Sequence, residues 1–589
     1  MKPIVTDTYD FPTLIRRGYV YVDKTALLHR LVSGIDGLMF FMSRPRRFGK
    51  SLMISTLEQI FKGEKALFKG LAISKTDYDW AKSPIIRLDM TAFDHTSGLA
   101  AFKQALAHEL GGTEPIAAFR ELIAKKAKAS RGKGVVVLID EYDSPVSGLL
   151  GRPKELEAMR EFLQAFYRVL KLEVASLRFL MMTGVSKFTK LSVFSGLNNL
   201  TDVTMRPEYA ALLGYTPEEL TAFFGPQIDA FAQETERTPQ DVVAELLTWY
   251  DSYRFSPKSE LRVCNPVSVG RALQEKSCEP YWDRTGSATL VIERLRKLGK
   301  LPLDVESFEV LPKRLDVCDL KKLPFDALMY QGGYLTIKEV KPSGSLVLGI
   351  PNREVSEAVY GGFLDEVMSQ RSNDFIAQAY DLRRLLETDA EALPRVLTAI
   401  FAMVPHEWKI KNEAEAKRYF LLFMKMAGAD IAPECESAKG RADAVLKTAQ
   451  SICIFEFKYG KTARQALRQI VAKGYAKPYA ADNRPCAAYG VNYDPKNGEV
   501  VIAVDHMVSP KNRNKVPNKV PNKVPNKTTS VRVLELLRAN PRATAEALGG
   551  ELGIGDRAVR KIIALHKAAG RLVRIGSRKS GHWQVVNEV

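Results

Sequence analysis

The sequence has few cysteines and lacks long apolar runs. Its six cysteines lie at positions 264, 278, 318, 435, 453 and 486 and form no C-x-x-C pair. That spacing argues against a zinc site or a disulfide framework and fits a reducing cytoplasm. No stretch approaches the roughly 18 apolar residues of a membrane span, and the first ten residues contain no apolar segment with a cleavage site. We therefore expect a cytoplasmic protein with no membrane partner.

The composition excludes a disordered chain, and the charge distribution points to a polyanionic partner. Hydrophobic residues make up 46% and charged residues 26% of 589 positions, which is ordinary for globular proteins of about three or four domains. The net charge is +18, and +12 of it lies in residues 509–589, which hold 17 Lys and Arg against 5 Asp and Glu. Nucleic acid, with DNA preferred, is the expected partner of that end.

Changes in pattern divide the chain into five segments. The sequence Lys-Val-Pro-Asn occurs three times in tandem within residues 515–526, and proline at every fourth position prevents a continuous helix or a central strand. The segments are an α/β region at 1–205, a mostly helical middle region at 206–395, a second α/β region at 396–508, a basic linker at 509–527 and a small domain at 528–589. We therefore expect an α/β multidomain protein.

A strand, a basic loop and a helix follow one another near the N-terminus. Apolar residues 38–42 run into Ser43-Arg-Pro-Arg-Arg-Phe-Gly-Lys-Ser51, and helical periodicity follows. This is the context of a phosphate-binding loop, in which Gly49 allows close backbone approach, Lys50 reaches the β- and γ-phosphates and Ser51 ligates Mg²⁺. Arg44 departs from the pattern, because a glycine usually stands there. The candidate contacts of a bound ATP are Arg47, Phe48, Gly49, Lys50 and Ser51.

Two further strand ends carry polar residues that suit the same site. The apolar run at 135–139 ends at Asp140 and Glu141, at the edge where open α/β sheets bind ligands. Asp140 would hold Mg²⁺, and Glu141 would polarise the water that attacks the γ-phosphate. The run at 178–182 ends at Thr183, which could sense the γ-phosphate. The alternative is that Ser186, three residues after Thr183, caps the next helix.

Several motifs together resemble the bacterial AAA-ATPase-like family over about residues 5–270. They are Tyr21-Val-Asp-Lys-Thr25, Arg44-Pro-Arg-Arg-Phe-Gly-Lys-Ser51, Ile139-Asp-Glu-Tyr-Asp143, Gly184-Val-Ser-Lys-Phe188, Trp249-Tyr-Asp-Ser-Tyr-Arg-Phe255 and Cys264-Asn-Pro266. The resemblance explains Arg44, since members of that family carry the same basic loop. It implies a P-loop nucleoside-triphosphatase fold. The aromatics of residues 249–255 are expected to pack in a helical core or lid.

Acidic residues and one lysine fall into an ordered pattern between residues 405 and 490. Asp443 lies in one predicted strand, at 442–446, and Glu456 and Lys458 share one face of the next strand, opposite two phenylalanines. Asp443 and Glu456 could share a Mg²⁺ while Lys458 neutralises charge on a scissile phosphate. Glu415 could approach the metal from the preceding helix, with Glu413 as the competing choice. The alternative is a buried Glu456–Lys458 pair without catalysis.

This D…E-x-K arrangement resembles the PD-(D/E)XK nuclease superfamily. Supporting matches are Ala466-Leu-Arg-Gln-Ile470 and Lys473-Gly-Tyr475, whereas Ala442 stands where the superfamily's name places proline. The resemblance implies phosphodiester hydrolysis and makes Gln469 an accessory residue near the metal. The superfamily also includes inactive binders.

The last 62 residues resemble a winged helix-turn-helix. Helical patterns at 531–539, 544–552 and 556–569 precede two strands around the basic turn Gly576-Ser-Arg-Lys-Ser-Gly581. The third helix would place Val559, Ile562 and Ile563 inward and read DNA, with Arg578 and Lys579 in the wing. The alternative is a protein-docking domain with a solvated basic face.

These patterns predict an enzyme that uses ATP and Mg²⁺ to cleave nucleic acid. ATP binding or hydrolysis at Lys50, Asp140 and Glu141 would gate phosphodiester cleavage at Asp443, Glu456 and Lys458. The alternative is an ATP-switched DNA-binding regulator whose nuclease fold is inactive. The sequence leaves open the choice of DNA or RNA, the strand preference and the oligomeric state, including a homo-oligomer.

Overall fold

The structure is a computed structural model of the 589-residue chain. It describes residues 1–94, 97–149, 152–187, 199–282, 292, 295, 302–315, 324–368, 397, 398, 401, 410–426, 429, 431–437, 440–448, 451–482, 484–507, 532–534, 536–538, 540–552, 555–568, 572–575 and 582–586. The predicted features outside this set are the linker at 509–527, the turn at 576–581 with Arg578 and Lys579, residues 283–291, 293–294, 296–301, 316–323 and 369–395 of the middle region, and Phe188. The chain forms two compact units, Met1–Ser509 and Pro510–Val589.

A five-stranded parallel sheet organises the N-terminal region. Its strand order is β2-β3-β4-β1-β5, and its strands are β1 (Met39–Ser43), β2 (Ile85–Asp89), β3 (Val135–Asp140), β4 (Leu177–Gly184) and β5 (Thr201–Asp202). The register pairs Met42 with Thr183 and Leu88 with Ile139. The carboxyl ends of β1, β3 and β4 therefore meet at one edge of the sheet, where the motif residues lie.

Helices cover both faces of this sheet, which is why its central strands are continuously apolar. Phe40 and Met42 of β1 belong to one hydrophobic core, and Met39 and Phe41 belong to the core on the opposite face. The helices are α1 (Phe11–Arg16), α2 (Thr25–Val32), α3 (Lys50–Phe61), α4 (Leu99–Glu109), α5 (Pro115–Ala129), α6 (Ser144–Ser147) and α7 (Pro153–Leu172).

The middle region contains a small sheet as well as the predicted helices. The helices are α8 (Pro217–Glu234), α9 (Pro239–Tyr250), α10 (Pro266–Glu275), α11 (Pro312–Leu315), α12 (Phe325–Gly332) and α13 (Arg353–Met368). The antiparallel strands β6 (Phe308–Val310), β7 (Thr336–Val340) and β8 (Leu346–Gly349) have the order β6-β8-β7. The core that holds Phe40 also holds Tyr253, Met329 and Val355, so the middle region packs directly on the N-terminal sheet.

The region around the acidic pattern forms a second five-stranded sheet. Its order is β13-β12-β11-β10-β9, and only β11 and β12 run parallel, joined by a helix. Phe420 lies against Phe455 and Phe457 with ring centroids 4.9 and 4.8 Å apart. The elements are α14 (Glu413–Met426), β9 (Ile431–Ser437), β10 (Gly440–Lys447), β11 (Ile452–Tyr459), α15 (Ala463–Lys473), β12 (Cys486–Asp494) and β13 (Glu499–Met507).

The C-terminal unit has its own small core. Helices α16 (Ala545–Leu552) and α17 (Asp556–Ala568) precede the antiparallel hairpin of β14 (Leu572–Ile575) and β15 (His582–Val585). The predicted inward residues of α17 are buried among residues that include Leu537 and Leu548. They are Val559, Ile562 and Ile563.

Among the described residues, no helix is long and apolar enough to cross a membrane.

Candidate functional site

The basic loop wraps around Lys50 at the carboxyl edge of the first sheet. Gly49 adopts a left-handed conformation (φ 93°) as the N-cap of α3, and Lys50 begins the helix. The Lys50 Nζ donates to the carbonyl oxygens of Arg44 and Pro45 at 3.1 and 3.2 Å and lies 3.2 Å from Glu141 Oε1. A left-handed glycine directly before a helix that begins with a buried lysine is an arrangement found in phosphate-binding loops.

Arg44 anchors the loop instead of facing a ligand. Its guanidinium is buried, donates to Thr204 O at 2.6 Å and Ser43 O at 3.0 Å, and stacks 4.1 Å from the Phe255 ring centroid. Burial lowers the pKa of this guanidinium to about 10. The departure from glycine at position 44 therefore has a structural cause, since the arginine ties the loop to the core.

The loop residues Phe48 and Arg47 have different surroundings. Phe48 is buried, with its ring centroid 4.8 Å from Tyr253 and 5.3 Å from Phe255, so it belongs to the core. Arg47 has a left-handed backbone (φ 67°) and donates to Tyr281 O at 2.8 Å. Tyr253 and Phe255, two of the 249–255 aromatics, thus pack in the core beside the loop.

The two acids after β3 and the threonine after β4 lie together. Asp140 is buried, and its Oδ1 accepts hydrogen bonds from the Thr183 hydroxyl and from Glu141 N. Glu141 has a left-handed backbone (φ 48°), and its carboxylate points to Lys50. Strained backbone of this kind is concentrated at functional sites. The sequence-predicted residues Lys50, Asp140, Glu141 and Thr183 are thus brought into one cluster.

Asp143 is a site-adjacent residue whose role the sequence did not reveal. It is buried and accepts hydrogen bonds from Val185 N at 3.2 Å and Ser186 N at 2.7 Å. Burial and the Glu141 charge raise the pKa of Asp143 to about 6. Asp143 therefore ties the turn after β3 to the segment after β4, and only its place in the Ile139–Asp143 motif signalled it.

A cavity of about 100 Å³ opens beside the basic loop. Apolar and aromatic side chains dominate its lining, and Lys24, paired with Glu219, contributes to one wall. Its lining residues include Tyr21, Gly49, Met53, Leu213, Tyr215 and Pro266. No local sequence pattern indicates this cavity, because residues more than 200 positions apart converge on it.

The second cluster lies where β10, β11 and α14 meet. Lys458 Nζ lies 3.1 Å from Glu413 Oε1 and 3.3 Å from Glu456 Oε1, and donates to Phe457 O at 2.6 Å. Asp443 Oδ2 accepts from Phe457 N at 2.8 Å. Glu456 and Lys458 therefore share a face, opposite Phe455 and Phe457, as strand alternation predicts.

Burial and neighbouring charge disfavour the ionised form of Glu456. Its side chain is 3% exposed, and its Oε2 has no hydrogen-bond partner among the described residues. Burial raises the pKa of Glu456 to about 7, and the charge of Asp443 adds to the rise. Burial lowers the pKa of Lys458, but Glu413 and Glu456 raise it by more, so the net shift is upward. Lys458 therefore remains a cation.

The structure places the two helix acids differently. Glu413 contacts Lys458, whereas Glu415 Oε2 accepts from Lys411 N at 2.7 Å and helps to cap α14. Gln469 is half-buried on α15. Lys417, which the sequence analysis did not consider, lies one turn after Glu413 with its Nζ 3.3 Å from Asp443 Oδ1.

The second cluster fits a divalent cation through its donor chemistry. Carboxylate oxygens are the ligands that Mg²⁺ prefers, and it is commonly bound by one or two of them together with substrate phosphates. Asp443 and Glu456 supply such a pair, and Glu456 Oε2, which has no hydrogen-bond partner in the described part of the chain, is available as a metal ligand. In the part of the chain that the structure describes, no group of three or more His, Cys, Asp or Glu side chains is arranged to hold a metal.

The exposed face of α17 is basic. Arg560 pairs with Asp556 at 3.1 Å on the helix surface. Exposed residues of this face include Arg557, Arg560, Lys561, Ala564 and Lys567.

The fold and the two clusters define a phosphate-loop domain followed by a nuclease-like domain, and comparison with known proteins agrees. Residues 5–194 match the family described as "Predicted AAA-ATPase", and residues 411–502 match the PD-(D/E)XK nuclease superfamily. The chain is similar to an "Uncharacterized protein in vnfD 5'region" of Azotobacter chroococcum mcd 1, with 34% identity over 514 residues covering 83% of this chain and 96% of that protein. The chain therefore belongs to the AAA-ATPase-like family and carries a PD-(D/E)XK nuclease superfamily domain.

Proposed function

We propose that this chain binds ATP and uses it to gate Mg²⁺-dependent cleavage of DNA. The observation that carries the proposal is the cluster of Asp443, Glu456 and Lys458. It places a buried carboxylate, one oxygen of which has no hydrogen-bond partner among the described residues, beside a second acid and a cation. Burial of such a carboxylate is expensive for folding alone.

ATP binding is supported by the loop geometry. In the proposed complex the Lys50 ammonium exchanges its carbonyl partners and Glu141 for the β- and γ-phosphates, and Ser51 and Asp140 would hold Mg²⁺. Glu141, released from Lys50, orients the attacking water, and Thr183 keeps Asp140 in place through its hydrogen bond. The cavity beside Gly49 offers an apolar wall for the nucleotide base.

Phosphodiester cleavage is supported by the separate roles that the residues of the second cluster can take. A divalent cation held by Asp443 and Glu456 would supply Lewis-acid polarisation of the phosphate and a water of lowered pKa. Phe457 N fixes the Asp443 carboxylate through its hydrogen bond. Lys458 stays charged, so it neutralises the phosphate instead of accepting a proton. Glu413 holds the Lys458 ammonium in position from α14.

Coupling between the sites is supported first by the contacts of the basic loop. Arg47 donates to Tyr281 O, and a Cβ added to Gly333 would lie only 2.8 Å from the Pro45 Cβ. The loop therefore packs closely on the middle region, and rearrangement around a phosphate would be transmitted there.

Helix α13 extends these contacts towards the nuclease-like domain. Trp282 N donates to Glu354 Oε1 at 2.8 Å in the first turn of α13. Farther along the same helix, Tyr360 donates to Glu306 Oε1 at 2.6 Å, and Lys425 of α14 lies 3.5 Å from that oxygen. Because α14 also carries Glu413, it is the element through which nucleotide state would reach the cleavage site.

The C-terminal unit is proposed to bind DNA as a winged helix-turn-helix. The exposed cations of α17 and the hairpin that follows support this assignment. DNA affinity would come mainly from phosphate contacts of this unit.

A second function, an ATP-switched DNA-binding regulator without catalysis, is favoured by one observation. Asp443 and Glu456 are already paired with Lys417 and Lys458, so the acids are neutralised without a metal. Incubation of the protein with plasmid and single-stranded DNA, with and without Mg²⁺, separates the two functions. Cleavage that disappears in Asp443→Ala supports the nuclease, and binding without cleavage supports the regulator.

A further inference from the structure

Helix α14 presents two charged side chains of opposite sign to the second cluster. Glu413 and Lys417 lie one turn apart on this helix, and residues four apart share a helix face. Glu413 contacts Lys458, and Lys417 contacts Asp443. The Lys417 and Asp443 side chains are 18% and 19% exposed, so their pair is mostly shielded from water.

The contact of Lys417 competes with the role proposed for Asp443. One Asp443 oxygen accepts from Phe457 N, and the other faces Lys417. A cation that bound Asp443 through Oδ1 would have to displace the ammonium group or share the oxygen with it. A displaced Lys417 would remain within a side-chain length of the phosphate that the cation held by these acids would polarise, and an ammonium group is a suitable phosphate ligand.

We propose that Lys417 is a substrate-binding residue that neutralises Asp443 until a divalent cation arrives and then moves to the phosphate of the bound DNA. This inference rests on the proposed nuclease function and adds an exchange of partners at the same site. It makes cation binding weak in the free protein and stronger with DNA present, because DNA gives the displaced ammonium group a new partner.

The exchange predicts opposite effects of one substitution on two measurements. In Lys417→Met, the competing ammonium is gone, so the DNA-free protein should bind Mn²⁺ at least about threefold more tightly in an electron paramagnetic resonance titration. At saturating Mg²⁺ the same variant should cleave DNA about tenfold more slowly or worse, because a phosphate contact is lost. Lys417→Arg should restore part of the cleavage rate. A purely structural role for Lys417 would weaken both properties together.

The control is Lys425→Met, which removes a cation from the last turn of α14, where it faces Glu306 instead of the acids. It should leave the Mn²⁺ affinity unchanged. Thermal unfolding of each variant shows whether the fold is retained, and Lys417→Gln, which also removes the cation, keeps the test available if Lys417→Met does not fold.

The outcomes separate this inference from the proposed function. Unchanged or weaker Mn²⁺ binding in Lys417→Met overturns the exchange, even if the wild-type protein cleaves DNA. Tighter Mn²⁺ binding together with slower cleavage supports it. Tighter Mn²⁺ binding in a protein that never cleaves DNA supports the competition at Asp443 and contradicts the nuclease function.

Discussion

Lys50 makes three protein contacts where the sequence alone suggested only contacts with a ligand. Its ammonium group faces two loop carbonyls and Glu141. We predict that Lys50→Ala lowers ATP affinity at least about tenfold, since the phosphates lose their main cation. Isothermal titration measures the affinity, and circular dichroism checks the fold. Lys62→Ala, at the other end of α3, is the matched control. Equal ATP affinity in both variants would remove the phosphate-loop assignment.

Glu456 should make the stability of the metal-free protein depend on pH. Its folded-state pKa of about 7 exceeds the ordinary value of 4.5, so the folded state retains a proton that the unfolded state releases. The contribution of the Glu456 carboxyl group to the free energy of unfolding is therefore complete below pH 4.5, and it is lost as the pH rises through 7. Glu456→Gln should raise the free energy of unfolding by about 2–3 kcal/mol at pH 8 and by little at pH 4.5.

Denaturant unfolding in EDTA at the two pH values measures this difference. Glu499→Gln, at an exposed position of β13, controls for the loss of one carboxylate. If Glu456→Gln raised the free energy of unfolding equally at both pH values, ionisation of Glu456 would not destabilise the folded protein.

The rotation of helix α14 about its axis decides whether Glu413 or Glu415 reaches the proposed cleavage site. Glu413→Gln should lower the cleavage rate about tenfold or more, because Lys458 loses the charge that positions it. Glu415→Gln should cleave at close to the wild-type rate, since an amide oxygen can still accept from Lys411 N. Steady-state cleavage assays on the two variants provide the comparison. The reverse order of rates would restore Glu415 as the helix acid.

The elements that the sequence predicted well are those whose signals are local. Strands β1, β3 and β11 are short apolar runs, and their motif residues follow or occupy them directly, so Lys50, Asp140 and Glu456 could be located without a fold. The choice between Glu413 and Glu415 could not, because it depends on the capping of α14 by residues before it.

Long-range contacts explain what the sequence could not reveal. Arg44 looked like a departure from a phosphate loop until Thr204 and Phe255 were placed around it. Lys417 had no signal in the linear pattern, since its partner Asp443 lies 26 residues away on a strand. The small sheet of β6, β7 and β8 was missed because its strands are only three to five residues long.

At the scale of the whole molecule, the two compact units divide the proposed tasks. Deleting residues 509–589 should leave ATP binding intact, because the Met1–Ser509 unit contains the complete phosphate loop together with Asp140 and Glu141. DNA affinity should fall and become less salt-dependent, since each lost phosphate contact lowers the salt slope by about 0.9 on duplex DNA. Arg560→Ala combined with Lys561→Ala should reproduce part of the loss. Identical salt slopes for full-length and truncated protein would assign the basic unit to another partner.

A DNA cleavage assay on the full-length protein with Mg²⁺, in the presence and absence of ATP, tests the proposed function. We expect cleavage whose rate changes with ATP, no response to ATP in Lys50→Ala, and no cleavage in Asp443→Asn although DNA remains bound. Cleavage by Asp443→Asn at the wild-type rate, or an unchanged response to ATP in Lys50→Ala, would contradict the proposed function.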